Sequence, residues 1–467
     1  MKQQRVSHTV RRERRTRGVA TLSGFLNGSN PLAPGLSSQA ALRLGGAVRW
    51  AVALVSAAIL TAYMAWFVHL QEMDFQVYRM GGQHALGAGL YSSEITVIGR
   101  HLLFTYPPIA ALVFWPFSQV SIHVGQAIWD AIDLVALTAL IAVSVAAAQK
   151  RSVLRSDWKL ALILLAPIGL LLYPVRENLV LGQINILLVL MIVSDLTIGV
   201  SWRGRRLPKG LLVGVACAIK LTPLVFIPYL VLTRQWRAAR NAVLTFVVAT
   251  SAMFAIAPRS SWSYFTNDAF DLKRVGDAGN VGNQTLREAL LRAHVPLSAA
   301  AYLLVATVVL CSGLAVAVVA HRHSSALLGV LLCGATGLLT SPVSWVHHYV
   351  WIVPALIWLL VGVDRPVKGA PWTIAGALIF IVIQPGQVGG VGLMWYLRDD
   401  AYVISTLAFF GLVGASLLIA ARRKLPDEEN AASNGDRRGE LPATPVPSGA
   451  KPIKDARPST LERHSVT

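Results

Sequence analysis

The sequence predicts an all-α polytopic membrane protein, and three observations carry that prediction. Hydrophobic residues make up 54% of the 467-residue chain and charged residues 14%, against roughly 25% charged in soluble domains. Apolar runs recur at or near the ~18–20 residues that cross a bilayer. The period-2 alternation of an outer-membrane barrel is absent, so the segments must satisfy their backbone polar groups internally, as helices.

Residues 1–48 open the chain with Lys2, Arg5, Arg11, Arg12, Arg14, Arg15 and Arg17, followed by a Ser-, Gly- and Pro-rich stretch. This is expected to be a disordered cytoplasmic tail suited to anionic lipid. No cleavable signal peptide is expected, because about 50 residues precede the first long apolar run. The net charge of +19 sits in this tail, in short loops and at helix ends. That distribution is the positive-inside pattern and argues against a nucleic-acid partner. Cys217, Cys311 and Cys333 all lie in apolar segments, an odd and unclustered set that builds neither a disulfide frame nor a cysteine metal site.

The membrane domain is expected over 49–421. A first span at 49–70 places Asp74 outside, and 71–103 forms the first external loop. Phe75, Val77, Tyr78, Met80, Ala85, Leu86, Leu90 and Tyr91 are interspersed with glycines there, so short interfacial helices are expected, with Gly81-Gly82, Gly87 and Gly89 breaking any long one. The apolar stretch 104–120 contains Pro107, Pro108 and Pro116. Spans follow near 124–147, 159–173 and 183–201, then an apolar segment at 210–233 interrupted by Lys220 and Pro223, and a span at 241–257. After a second external loop at 258–297 come spans near 299–320, 325–341, 346–362, 371–385 and 401–421. Residues 422–467 read as a disordered cytoplasmic tail. The total is about 11–13 transmembrane helices. Strict alternation would put the basic loops 150–155 and 203–209 outside. Re-entrant or broken hairpins at 104–122 and 210–233 would keep them inside, since irregular backbone is tolerated at depth where protein or a cavity covers it.

Ionisable and amide side chains in or beside apolar spans mark candidate sites. Asp74, at a helix end, is either a solvated carboxylate or a catalytic base; Glu72, two residues away, points to another helix face. Gln183 and Asn185 suit either sugar hydroxyls or helix–helix hydrogen bonds. Lys220 suits either a phosphate or snorkelling. Asn283 and Gln284 lie in a polar loop with Lys273, Arg274, Arg287 and Arg292. His347 and His348 adjoin Trp345 and Ser344, at a spacing that does not fit a zincin helix. Under the hairpin topology Asp74, Tyr106, Gln183, Asn185, the 283–292 loop and the His pair all lie toward the external side. That shared side points to one site at the lipid boundary.

Six motifs occur in order: Asp74-Phe-x-Val-Tyr-Arg79, Phe104-x-Tyr-Pro-Pro108, Gly182-Gln-x-Asn185, Lys220-x-Thr-Pro223, Gly282-Asn-Gln-Thr-Leu-Arg287 and Ser341-Pro-Val-Ser-Trp-x-His-His348. Together they resemble the actinobacterial polyprenol-phosphate-mannose-dependent α-(1→2)-mannosyltransferases, membrane enzymes of the GT-C superfamily, over about 49–421. The resemblance implies a GT-C-type bundle with external loops forming the active site on the outer face of the plasma membrane. It implies Asp74 as general base, and Lys220 with His347 or His348 near the donor phosphate. It also places Arg79, Tyr106, Gln183, Asn185, Asn283 and Gln284 near the sugar and acceptor. Thr285 stands where the family pattern leads one to expect Ser. The implied partners are a polyprenyl-phosphate mannose donor, a glycolipid acceptor of the phosphatidylinositol mannoside or lipomannan type, and membrane lipids; no metal and no cofactor is expected. One carboxylate suffices for an inverting displacement, whereas retention calls for a second. A secondary transporter or flippase for a lipid-linked sugar, or a lipid-linked-pentose (arabinosyl) transferase, are the alternatives.

Overall fold

The computed structural model describes residues 72–417 apart from 88, 154–168, 277–278, 324, 364–368 and 386–391. Both expected tails, the expected first span at 49–70 and most of the one at 159–173 lie outside the described residues.

The segment expected as the first external loop contains a short helix and a hairpin. Helix α1, Met73–Gln83, runs through the Gly81-Gly82 pair instead of breaking there. The reason is packing. A Cβ on Gly81 would collide with the Phe104 ring, and one on Gly82 would lie 2.7 Å from the Phe114 carbonyl oxygen. The glycines therefore admit close neighbours. A β-hairpin follows, β1 (Glu94–Val97) with β2 (Arg100–Leu103). Its two turn residues, Ile98 and Gly99, have φ of 51° and 70°, the doubly left-handed geometry of a tight hairpin turn. The expectation of an all-α chain is corrected to this extent, and a second two-stranded ribbon joins β3 (Ser201–Trp202) to β4 (Arg205–Arg206).

Helix α2, Pro108–Ser118, starts where Pro107 caps and Pro108 takes the first helical position, where a missing N–H costs nothing. Its 11 residues rise only about 16 Å, half a bilayer core. Ser121 then caps α3, Ile122–Ala148, accepting from the Val124 N–H at 3.4 Å. Phe75 and Tyr78 of α1 pack on Phe114 and Trp129, with Tyr78 stacked on Phe114 at 4.4 Å between centroids. Each such pair contributes about 0.5–1.5 kcal/mol beyond area burial.

Helix α4 (Tyr173–Leu181) ends on Gly182 in the left-handed region, φ 68°. Helix α5 (Asn185–Val193, extended by a π turn to Ile198) leaves at 119° to it. Asp195 in that turn caps the next helix, α6 (Leu211–Ile219), accepting from the Gly210 and Val213 N–H groups at 3.0 and 3.1 Å. Helix α6 stops because Pro223 has no N–H to return to Ile219. Lys220 is extended (φ −145°, ψ 134°), and a 3₁₀ turn, Thr222–Val225, leads into α7, Phe226–Leu232. The 210–233 segment is thus a broken one with Lys220 at the break.

Helices α8 (Trp236–Ile256), α9 (Pro258–Ser263), α10 (Leu286–Arg292), α11 (Ala299–His323) and α12 (Ala326–Thr340) follow. After a 3₁₀ turn at Val346–Trp351 come α13 (Ile352–Val361), α14 (Gly369–Val382), α15 (Leu393–Asp399) and α16 (Ala401–Leu417). Among the described residues α3, α8 and α11 are each long and apolar enough to cross a bilayer, and α4/α5 and α15/α16 are bent apolar pairs. Leu244, Val248, Leu303, Leu304 and Val308 on α8 and α11 are exposed, as lipid-facing residues are. The molecule is mostly helical and membrane-embedded.

Candidate active site

The site is assembled by the places where the helices break. Gly182 supplies the first. Its left-handed φ and its contacts both demand glycine, since a Cβ would lie 2.6 Å from that of Phe75 and 2.8 Å from a Glu72 carboxylate oxygen. The Gly182 carbonyl accepts from Trp129 Nε1 at 2.9 Å, and the Gln183 N–H donates to Asn178 O at 2.8 Å. Gln183 is thereby presented to the first turn of α1.

Its amide is the hub. Nε2 donates to Asp74 Oδ2 at 2.7 Å. Oε1 accepts from Tyr78 at 2.8 Å and from Tyr106 and Asn185 at 3.2 Å each. Tyr106 stands just before the Pro107-Pro108 helix start, where the following proline disfavours helical backbone. The cluster continues to Lys220, whose Nζ donates to Asn185 Oδ1 at 2.8 Å, His348 Nε2 at 2.9 Å and Tyr106 Oη at 3.2 Å. An ammonium has three donors, and here each meets an uncharged acceptor. While Lys220 is charged it can only donate, so His348 Nε2 accepts and the ring proton sits on Nδ1. Among the described residues no carboxylate is in direct contact with Lys220.

Asp74 is half-buried. Burial raises its carboxyl to about 6, and the Gln183 hydrogen bond and the Lys220 charge pull it back down. A base with a pKa near neutrality is well matched to general base work.

Six predicted residues, Asp74, Tyr106, Gln183, Asn185, Lys220 and His348, therefore form one hydrogen-bonded cluster. His347 touches it through its ring, 4.9 Å from that of His348, and its own Nε2 is buried without a partner. Asn283 and Gln284 lie elsewhere. Asn283 Oδ1 accepts from Ser344 N at 2.9 Å, Gln284 N donates to Ser344 O at 2.7 Å, and Tyr349 donates to Gln284 O at 2.6 Å. They anchor the entry to the 3₁₀ turn that carries the histidines, with Trp345 packed over Gly276 and Gly282. Arg79 is also apart, donating to the Val120 carbonyl at 2.8 Å.

The sequence reading missed Tyr78, Asn178 and a buried acidic group beneath the site. Glu72 meets Asp130 there, and Asp133 accepts from Asn178 at 3.3 Å. Burial, then the Asp130 charge and hydrogen bond, push Glu72 up to about 9, so it holds a proton at neutral pH. The available signal was two acids three residues apart, Asp130 and Asp133, in an otherwise apolar 27-residue helix. Among the described residues no group of three His, Cys, Asp or Glu side chains is disposed to hold a metal.

Comparison with known proteins shows the family. The chain is 34% identical over 407 residues to the polyprenol-phosphate-mannose-dependent alpha-(1-2)-phosphatidylinositol mannoside mannosyltransferase of Mycobacterium tuberculosis, covering 81% of this chain and 93% of the relative. It is 34% identical to the protein of the same description in Mycolicibacterium smegmatis, covering 74% and 84%. A further Mycobacterium tuberculosis relative, a polyprenol-phosphate-mannose-dependent alpha-(1-2)-phosphatidylinositol pentamannoside mannosyltransferase, is 32% identical over 68% of this chain and 74% of the relative. No solved structure matches significantly. The profile of glycosyltransferase family 87 matches residues 104–342, a stretch that contains every cluster residue except Asp74, Tyr78 and His348, and the chain belongs to that family.

Proposed function

We propose that the chain is an inverting mannosyltransferase of GT-C type. It moves mannose from polyprenyl-phosphate mannose to a hydroxyl of a phosphatidylinositol mannoside or lipomannan acceptor. The product is an α-(1→2) linkage, formed on the outer face of the plasma membrane. The observation that carries this reading is the buried Lys220 ammonium, ringed by three uncharged acceptors and linked through Asn185 and Gln183 to a carboxylate poised near pH 6. A buried cation without a contacting anion is costly, and a bound phosphate would relieve that cost.

In the step itself, the acceptor oxygen forms its bond to the anomeric carbon while its proton passes to Asp74. The bond from that carbon to the phosphate oxygen breaks, and the departing phosphate takes the electron pair. Negative charge grows on that phosphate during the step, so Lys220 holds the transition state more tightly than the ground state. Tyr106, Gln183 and Asn185 supply hydrogen-bonding groups for the sugar between the two ends. His348 orients the ammonium, and Asn283 and Gln284 hold the segment that carries His348.

The test is transfer of radiolabelled mannose from polyprenyl-phosphate mannose to a phosphatidylinositol mannoside in proteoliposomes, with the new linkage read by NMR. An α-(1→2) product is expected. Transfer of a pentose from a lipid-linked pentose instead would reassign the sugar. Movement of donor lipid across the bilayer with no glycolipid product would make the chain a flippase.

A further inference from the structure

The face of α1 that points away from Asp74 lines a second cavity. At about 100° per residue, Gln76, Arg79 and Gln83 project some 140–200° round the helix from Asp74. They border a cavity of about 530 Å³ with His84, Ser93 and Glu94, and the hairpin strand β1 forms one wall. That volume suits a small-molecule head group. The polar lining combines a cation, a carboxylate, two amides, an imidazole and a hydroxyl, the mixture that hydrogen-bonds a polyol. Apolar Met80, Ile95 and Ile122 complete the rim.

Arg79 gives the cavity its charge. Arg274, Arg287 and Arg292 pair with Asp268, Glu288 and Asp400, whereas Arg79 meets no carboxylate within ion-pair distance among the described residues. One nitrogen donates to the Val120 carbonyl, which fixes the guanidinium, and Nε is buried without a partner. Glu94 is engaged by His101 on the opposite strand. Nε is sealed from solvent and takes no part, and a fixed guanidinium that borders the cavity without a carboxylate partner can meet a phosphate oxygen through its terminal nitrogens.

We propose that this cavity holds the phosphate-bearing polyol head of the glycolipid acceptor, remote from the reacting hydroxyl. The assignment rests on the glycosyl-transfer reading for the identity of the ligand. A head group gripped on one side of α1 would leave the glycan to cross the helix end and present its terminal hydroxyl to Asp74. Arg79, Gln76 and Gln83 would then measure the acceptor from its lipid end.

The experiment is equilibrium binding of a short-chain phosphatidylinositol mannoside to the purified full chain in detergent, measured without donor. Arg79→Gln should weaken binding by about 10-fold or more, the worth of a charge-assisted hydrogen bond. Gln83→Ala, an exposed change that leaves the fold alone, should weaken it several-fold. A phosphate-free oligomannoside should bind wild type and Arg79→Gln alike. Equal binding of the phosphatidylinositol mannoside to wild type and both variants overturns the proposal. Arg79-dependent binding of short-chain phosphatidylglycerol at the same strength also overturns it, making the cavity a general anionic-lipid site. Intact Arg79-dependent binding with no mannosyl transfer by the wild type would reject the transferase reading and leave the head-group site standing.

Discussion

At Asp74 burial and its neighbours pull in opposite directions, and the balance decides what the residue does. Burial alone would keep the carboxyl protonated. The Gln183 amide and the Lys220 charge return it to about 6, so at neutral pH most molecules carry the base form. Asp74→Asn should lower turnover by about 10²–10⁴-fold while donor binding persists, and near-normal turnover would remove Asp74 from the chemistry. The sign of the pH effect follows from the same balance. The proposed mechanism needs the ionised carboxylate, so turnover should fall as pH drops through about 6, and Asp74→Asn should lose that acid limb. Asp74, Lys220 and the His pair were legible in the sequence because charged groups beside apolar runs are conspicuous. Tyr78 and Asn178 were not, because a tyrosine or asparagine at a membrane border looks ordinary until its hydrogen-bond partner is known. Arg79 was grouped with Asp74 by motif, but five residues along one helix turn it to another face.

At the scale of elements, the site depends on interruptions more than on helices. Gly182 turns the chain by 119° between α4 and α5, and Pro223 frees Lys220 from α6. Both were visible as Gly and Pro in apolar stretches, and the broken character expected of 210–233 matches the structure. The β1–β2 hairpin was not foreseen. Its strands are only four residues each, too short for a clear period-2 signal, and its turn begins on Ile98, a residue rarely found at positive φ. Gly182→Ala meets two obstacles, a left-handed backbone and the Phe75 Cβ. It should cost about 1–3 kcal/mol from the backbone alone, read as a lowered Tm in detergent. It should also depress turnover beyond the loss of folded protein, because Gln183 moves with it. A Tm and turnover equal to wild type would mean that the bend does not set the site.

For the whole molecule, the arrangement of α2 and of the broken segment decides which loops share a side. An α2 of about 16 Å, too short to cross a bilayer core, together with a segment interrupted at Lys220, suits the hairpin topology, in which the basic β3–β4 ribbon is expected to face the cytoplasm and the β1–β2 hairpin to face out. Single cysteines at Arg100 and Arg205, introduced with Cys311→Ser, test this with an impermeant thiol reagent. Arg100→Cys should label in intact cells and Arg205→Cys only after permeabilisation. Labelling of both from outside would restore strict alternation.

The ring of uncharged acceptors around Lys220 has a consequence for the end of the catalytic cycle. A mannosyl phosphodiester carries a single negative charge, and the bare lipid phosphate left after transfer carries up to two. If Lys220 favours departure of the phosphate as proposed, it grips the spent carrier more firmly than the fresh one. Escape of the used lipid, rather than sugar transfer, should then limit the steady-state rate. Added polyprenyl phosphate should compete with donor at concentrations below the donor KM, and a pre-steady-state burst of product should precede slower turnover.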